Sequence, residues 1–414
     1  MATATLPAGR TGKMKTSRLW WHVHHWVGFK LALFMSFVFL TGTLAVVSNE
    51  IDWLLQPSLR VSPPGEGAEP DWEKIVAGAT THPGIKQIQG IEEPIAGAFA
   101  ARVSVIWDDG RYGLLHIHPA TGAVQGEAPW VGAQRVLRNM HRHLNLPVWI
   151  GVPIVCTLAF LMLVSLVSSL MVYKKWWRGF LKLPRRRDAR TWWGDFHRLA
   201  GVWSLWFVTL ITLTGIWYFV EQMGADAPVP RVAFSKDAPR AAHGPIEAGQ
   251  RFAASLRAAR AADPQLDIQS VRFPSARSPA FVFEGAKSAM LVRPRANAVW
   301  TDVASGRVLA TYDGADLDLH QRISEMADPL HFGTFGGYWT KIPWFVFGGL
   351  LTSLSVSGVA IYALRIGREL KQATPFALGL GRAWHGMAKW RWLALALVLT
   401  AFIMLPALLA ERAG

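Results

Sequence analysis

The sequence predicts an integral membrane protein, mainly α-helical: a bundle of five transmembrane helices with two α+β domains on one side of the bilayer, built by internal duplication. Three observations predict it. Five apolar stretches are long enough to cross a bilayer core of about 30 Å, which takes roughly 20 helical residues. Two connections of about 100 residues separate them, each long enough for a small domain. One spacing also occurs twice: His24 stands four residues before Gly28 and seventeen before Thr41-Gly42, and His197 stands four before Gly201 and seventeen before Thr214-Gly215.

The elements follow in order. Residues 1–28 are a basic leader and helix entry, with Arg10, Lys13, Lys15 and Arg18 and no acid. The first span is 29–49, too long for a cleavable signal and without a small-residue cleavage site after it. Residues 50–147 form the first outer domain. Asp71 to Ala79 opens a helix, Ala101 to Trp107 alternates as a strand, Asp108-Asp109-Gly110 turns, and Tyr112 to Ile117 returns. The second span is 148–172, followed by a basic loop, 173–198, and the third span, 199–220. Residues 221–342 form the second outer domain, with a helix over Ala248 to Ala261 and strands around Ile268 to Phe273, Ala280 to Phe283 and Ala289 to Arg293. The fourth span is 343–364, a second basic loop is 365–389, and the fifth span is 390–410. Lysine and arginine stay on the cytoplasmic side, so the N-terminus is expected inside and the C-terminus in the periplasm of a bacterial inner membrane.

Composition supports this and narrows the chemistry. The chain is 51% hydrophobic and 17% charged, with a mean hydropathy of +0.22, too apolar for an ordinary soluble protein of this length. The net charge of +15 is concentrated in the leader and the two short loops, where topology requires it, so nucleic acid is not an expected partner. A single cysteine, Cys156, cannot build a disulfide, an Fe–S cluster or a cysteine-based zinc site within one chain. The sequence has no dinucleotide fingerprint, P-loop or Ser/His/Asp grouping.

The histidines carry the chemistry. Of 13, eight sit at predicted membrane edges. His22, His24, His25, His197 and His385 lie at the cytoplasmic edge; His141, His143 and His331 lie at the outer edge. A lone histidine at a lipid interface is ordinarily a polar anchor, but duplicated positions at two levels favour ligation. The expected pairs are His24 with His197 inside and His141 with His331 outside, with His25, His143 and His385 as alternates. Spacing leaves His141 against His143 open, since the distance to the matching tyrosine is 32, 30 and 31 residues from His141, His143 and His331. Bis-histidine ligation closes both axial positions of a haem iron and suits electron transfer. Gly28 and Gly201, one helical turn from His24 and His197, leave room for a flat macrocycle. Arg142 and Arg198, each directly after an expected ligand, are candidate partners for haem propionates. Gly333, Gly336 and Gly337 after His331 suggest a tight entry into the fourth span with close approach to a cofactor. His116, His118 and His320 read as exposed strand or helix residues, and His82 and His243 as surface residues. The two Thr-Gly pairs read as close helix packing.

Two hairpins add a family signal. His118-Pro119-Ala120-Thr121-Gly122-Ala123-Val124 and Asp302-Val303-Ala304-Ser305-Gly306-Arg307-Val308 each place a glycine where a tight turn needs φ > 0. With His24-His25-Trp26-Val27-Gly28, Met140-His141-Arg142, Asp195-Phe196-His197-Arg198 and Leu330-His331-Phe332-Gly333, the chain resembles the PepSY-associated transmembrane helix family over nearly its whole length. His118 stands where the pattern ordinarily has aspartate. The resemblance implies an oxidoreductase of the ferric-siderophore (ferrioxamine-type) reductase kind, with two b haems per chain. It would deliver electrons to a ferric siderophore in the periplasm and release ferrous iron. With no flavin or nicotinamide motif in the chain, the donor is expected to be a quinol or a separate cytoplasmic protein. The rival from another class is a non-enzymatic membrane anchor presenting PepSY domains to a periplasmic protease; it leaves histidines on both membrane faces unexplained. A transporter would need charged or broken mid-span segments, and the spans have almost none.

Overall fold

A computed structural model describes residues 16–63, 69–234, 244–275, 278–369 and 376–410. Arg10, Lys13, Lys15, His243 and Lys371 lie outside the described residues. The chain divides into two compact units: Met1–Phe37, Thr157–Leu213 and Gly349–Leu397 make one; Val38–Cys156, Thr214–Gly348 and Val398–Gly414 make the other.

The chain is a multi-pass membrane protein. Among the described residues, four helical spans are long and apolar enough to cross a bilayer, or five if one bent pair counts as a single span. The pair is α1 (Thr16–Lys30) and α2 (Ala32–Val46), bent by 67°. Then come α3 (Ser48–Leu55), α4 (Trp72–Thr81), α5 (Ala133–His143) and the long α6 (Val148–Val172). α7 (Ala189–Trp203) leads into α8 (Leu205–Val220), and α9 (Pro245–Ala262) and α10 (Leu319–Phe332) precede α11 (Gly337–Glu369). α12 (Phe376–Gly386), α13 (Trp390–Ile403) and α14 (Leu405–Leu409) close the described chain. Side chains such as Leu163, Val164 and Val167 on α6 stay exposed, as expected where lipid replaces water.

In the first unit, the α1–α2 break packs against the later helices. Phe29 and Ala32 are buried with Ala363, Ala383 and Met387. Lys30 Nζ donates to the Gly386 carbonyl at 2.7 Å, and Ser36 Oγ donates to Ser355 Oγ at 2.9 Å. Polar side chains inside apolar helices find partners because none are offered by lipid.

The second unit holds one eight-stranded antiparallel sheet. Its strands are β1 (Ile85–Glu92), β2 (Ala101–Trp107), β3 (Tyr112–Ile117), β4 (Val124–Pro129), β5 (Asp267–Arg272), β6 (Ala280–Ala286), β7 (Ala298–Asp302) and β8 (Val308–Tyr312), in the order β4-β3-β2-β1-β5-β6-β7-β8. The sequence treats 50–147 and 221–342 as separate domains; their strands instead join edge to edge, with Gly90 opposite Arg272 and Ile91 opposite Val271. Pairing satisfies two edges that would otherwise be open. Gly90 permits it, since a Cβ there would lie 2.9 Å from the Val271 carbonyl oxygen. α4 and α9 cover one face, burying Trp72, Ile75, Phe252 and Leu256 against Val103, Leu115, Phe281 and Phe283.

Ala289–Arg293 is not a strand. Leu291 has φ 56°, which breaks an extended run, and the Pro294 turn follows. The two hairpin glycines do adopt positive φ, 73° at Gly122 and 68° at Gly306. Asp302 closes its turn by accepting from Ser305 N at 2.7 Å. His118 does the same work in the first hairpin, its Nδ1 accepting from Ala120 N at 3.2 Å.

Candidate functional site

The first histidine pair lies within the first unit. α1 presents His24 and α7 presents His197, with ring centroids 6.3 Å apart. Asp188 caps α7 by accepting from Thr191 N at 2.9 Å, which fixes where the helix starts and so the phase of His197. His24 Nδ1 donates to the Ser165 carbonyl of α6 at 3.1 Å, with Ser168 Oγ at 3.3 Å. His197 Nδ1 meets Ser357 Oγ of α11 at 2.8 Å. That hydroxyl already donates to the Leu354 carbonyl at 3.1 Å, so it accepts from the imidazole.

The second pair lies within the second unit. α5 presents His141 and α10 presents His331, with centroids 6.1 Å apart. His141 Nδ1 donates to the Val38 carbonyl of α2 at 2.8 Å, and His331 Nδ1 is 2.8 Å from Thr214 Oγ1 of α8. Gly42 of α2 packs on the His141 ring; a Cβ would lie 2.6 Å from Cε1. Behind His331, Tyr218 OH donates to Asp328 at 2.6 Å, and Arg293 bridges Asp328 at 2.9 Å and Glu325 at 2.7 Å. Burial pushes the Asp328 carboxyl up, but Arg293 and Tyr218 together hold it below the usual range.

Three of the four rings share one state. A carbonyl can only accept, so at His24 and His141 the proton sits on Nδ1 and the lone pair on Nε2; the Ser357 bond implies the same for His197. A histidine ligand is ordinarily held this way, by a hydrogen bond at its other nitrogen. The spacing also fits a shared metal. Two metal–imidazole bonds of about 2 Å each, plus about 1 Å from each nitrogen to its ring centroid, sum to roughly 6 Å, so each pair would be spaced to hold one metal centre between its rings.

The alternates do not meet a second histidine. His25 stacks on Trp21, Phe29 and Tyr362. His385 is exposed and its Nδ1 bonds the Gly381 carbonyl of its own helix. His143 is buried and its Nδ1 has no hydrogen-bond partner among the described residues; the ring pairing with His331 is that of His141.

The other expected residues divide. A Cβ at Gly28 would meet open space, and one at Gly201 only the Leu354 methyl at 3.8 Å. Arg142 is exposed. Arg198 Nη1 donates to Asp195 at 2.9 Å, and Arg185 Nε reaches the same carboxylate at 2.8 Å. The Arg185 hydrogen bond holds the Asp195 carboxyl down at about 2. Gly333 caps α10 at φ 68°, where a Cβ would lie 2.5 Å from the Trp344 ring; its close neighbour is that indole. His116 is fully buried rather than exposed.

Sequence reasoning passed over Ser165, Ser168, Ser357 and Thr214, which hold the rings, and the Tyr218–Asp328–Arg293 network. Hydroxyls inside apolar spans were their signal, because a polar group in hydrocarbon needs a partner. Thr214, read as packing, is a histidine anchor instead.

A search of curated proteins finds no match. A sequence profile described as the PepSY-associated TM region matches residues 21–365. That stretch includes all four histidines and both hairpins, and the chain belongs to the PepSY-associated TM family.

Proposed function

We propose that this chain is a di-haem b reductase of a bacterial inner membrane, passing electrons from a quinol or a cytoplasmic donor to a ferric siderophore in the periplasm. The observation that carries the reading is the matched geometry of His24/His197 and His141/His331: two imidazole pairs 6.3 and 6.1 Å apart, their Nδ1 atoms engaged by Ser165, Ser357, Val38 and Thr214. When bound, each haem would supply a one-electron Fe³⁺/Fe²⁺ couple. The protein's part would be to orient the rings, keep Nε2 unprotonated and exclude competing ligands from the iron. Arg142 and Arg198 are the propionate partners in this reading, with Asp195 orienting Arg198. Ferric chelates hold iron through hard oxygen donors, and reduction weakens that hold. The repeated helix-plus-four-strand order of α4, β1–β4 and α9, β5–β8 supports two PepSY-like halves arising by duplication.

The test is a dithionite-reduced minus oxidised optical spectrum of the detergent-purified chain, with haem quantified. Two b-type haems per chain are expected. No haem, after expression with ample haem supply, would leave the PepSY membrane anchor as the better reading.

A further inference from the structure

The second unit contains a pocket of about 140 Å³ beside the β2–β3 face of the sheet and the start of α5. Three of its lining residues carry a buried polar atom with no hydrogen-bond partner among the described residues: Arg102 Nη2, His116 Nε2 and Trp130 Nε1. Native structures seldom leave such groups unpaired, because a buried donor without a partner loses its hydration with nothing in return. Three such groups on residues that line one cavity point to a ligand that pairs them.

Arg102 and His116 are held in place from outside the pocket, and Trp130 from outside and from within its lining. Arg102 and His116 face each other across β2 and β3. Arg102 Nη1 donates to Asn49 Oδ1 at 3.0 Å, and His116, with no exposed surface, has Nδ1 2.9 Å from Ser58 Oγ. With the Ser58 hydroxyl donating, the ring keeps its proton on Nε2 and offers a donor. The Trp130 indole can only donate; its ring is stacked on Tyr112 at 5.2 Å and covered by the Arg135 guanidinium at 3.7 Å. Arg138 stands exposed on the rim.

The charge balance matches the donors. Arg102, Arg135 and Arg138 outnumber Asp52 and Glu92 in the lining. Asp52 is already spent on the start of α5, accepting from Ala133 N at 2.7 Å, Gln134 N at 3.0 Å and Gln56 Nε2 at 3.0 Å. A cavity of about 150 Å³ holds a molecule the size of benzene.

We propose that this pocket binds a small oxyanion, a phosphate or compact carboxylate, either free or as a lipid phosphate, through Arg102, His116 and Trp130 with Arg138 at the entrance. Oxyanions accept several hydrogen bonds at once, and bonds to a charged partner are the strong ones. The site does not depend on haem binding.

The test uses the full chain in phosphatidylcholine nanodiscs, titrated calorimetrically with inorganic phosphate and with malonate. Saturable binding of one probe, weakened at least tenfold in both Arg102→Gln and Arg138→Gln, is expected. Arg138 is on the rim, so its variant keeps the test valid should Arg102→Gln fail to fold. Repeating the titration with phosphatidylglycerol in the disc separates the sources. Unchanged affinity identifies a free anion, and competition identifies a lipid phosphate. No saturable binding of either probe, with no phosphatidylglycerol retained above a phosphatidylcholine control, overturns the site. So does binding of equal strength in the wild type and in Arg138→Gln.

Discussion

Gly42 and His141 are in direct contact: a Cβ on Gly42 would lie 2.6 Å from Cε1 and 2.7 Å from Nδ1 of the imidazole. Such distances are not tolerated between real atoms, so Gly42→Ala must displace the ring or tilt α2. With ligation as proposed, Gly42→Ala should lower haem content from two to one per chain. A variant that retains both would separate the ring's position from ligation.

His141 and His143 can be told apart by the same count. Replacing His141 with alanine should remove one haem, as should replacing His24, His197 or His331. Replacing His143 or His25 should remove none. The outcome against this assignment is haem loss on replacing His143 with both haems kept on replacing His141.

Ser357 should tune a potential without holding the cofactor. Its hydroxyl accepts from His197 Nδ1 at 2.8 Å; with haem bound as proposed, that bond would raise the ligand's basicity and favour the ferric state. Ser357→Ala should keep both haems and raise one midpoint potential. A hydrogen bond of about 1 kcal/mol corresponds to roughly 40 mV for one electron. Redox titration of both centres reads the shift, and an unchanged pair of potentials would assign Ser357 to helix packing alone.

His116 should make the sheet acid-sensitive. Burial, and secondarily the Arg102 charge, hold its pKa down at about 4, against 6.5 for the free side chain. The unfolded chain therefore binds a proton here that the folded chain refuses. This contribution is fully present above pH 6.5, and it is lost as pH falls from 6.5 towards 4. The loss approaches roughly 3 kcal/mol. Thermal unfolding of the wild type should drop over that window, and His116→Gln should flatten the drop. Parallel pH profiles for the two proteins would remove His116 as the cause.

Gly90 should control whether the sheet is continuous. Valine there would place a Cβ 2.9 Å from the Val271 carbonyl oxygen and force β1 away from β5. Hydrogen exchange should quicken at residues 90–92 and 270–272, with β2 and β6 still protected. Uniform protection across the sheet would show that the seam absorbs the side chain.

Much of the architecture was legible because local chemistry repeats along the chain. Apolar runs such as Val148–Val172 announce themselves by length, and the hairpin glycines by the positive φ their turns require. The repeated spacing from His24 and His197 singled out two rings that the fold does bring together. Ala289–Arg293 misled because alternation takes no account of Arg293, whose guanidinium is drawn to Glu325 and Asp328 more than 30 positions later.

By itself, the sequence determined what each residue needs: burial in lipid for the spans, a turn for Gly122 and Gly306, a partner for each edge histidine. Those are properties of one segment and its solvent. Only the tertiary structure shows which of His141 and His143 lies beside His331. Two positions apart on a helix differ by about 200° in direction, so one of them at most can face His331, and the Val38 carbonyl and Gly42 meet His141. It likewise decided that β1 pairs with β5 and that Arg102, His116 and Trp130 share a pocket. Such contacts join residues far apart in the chain, and their energies depend on packing geometry that no local pattern encodes.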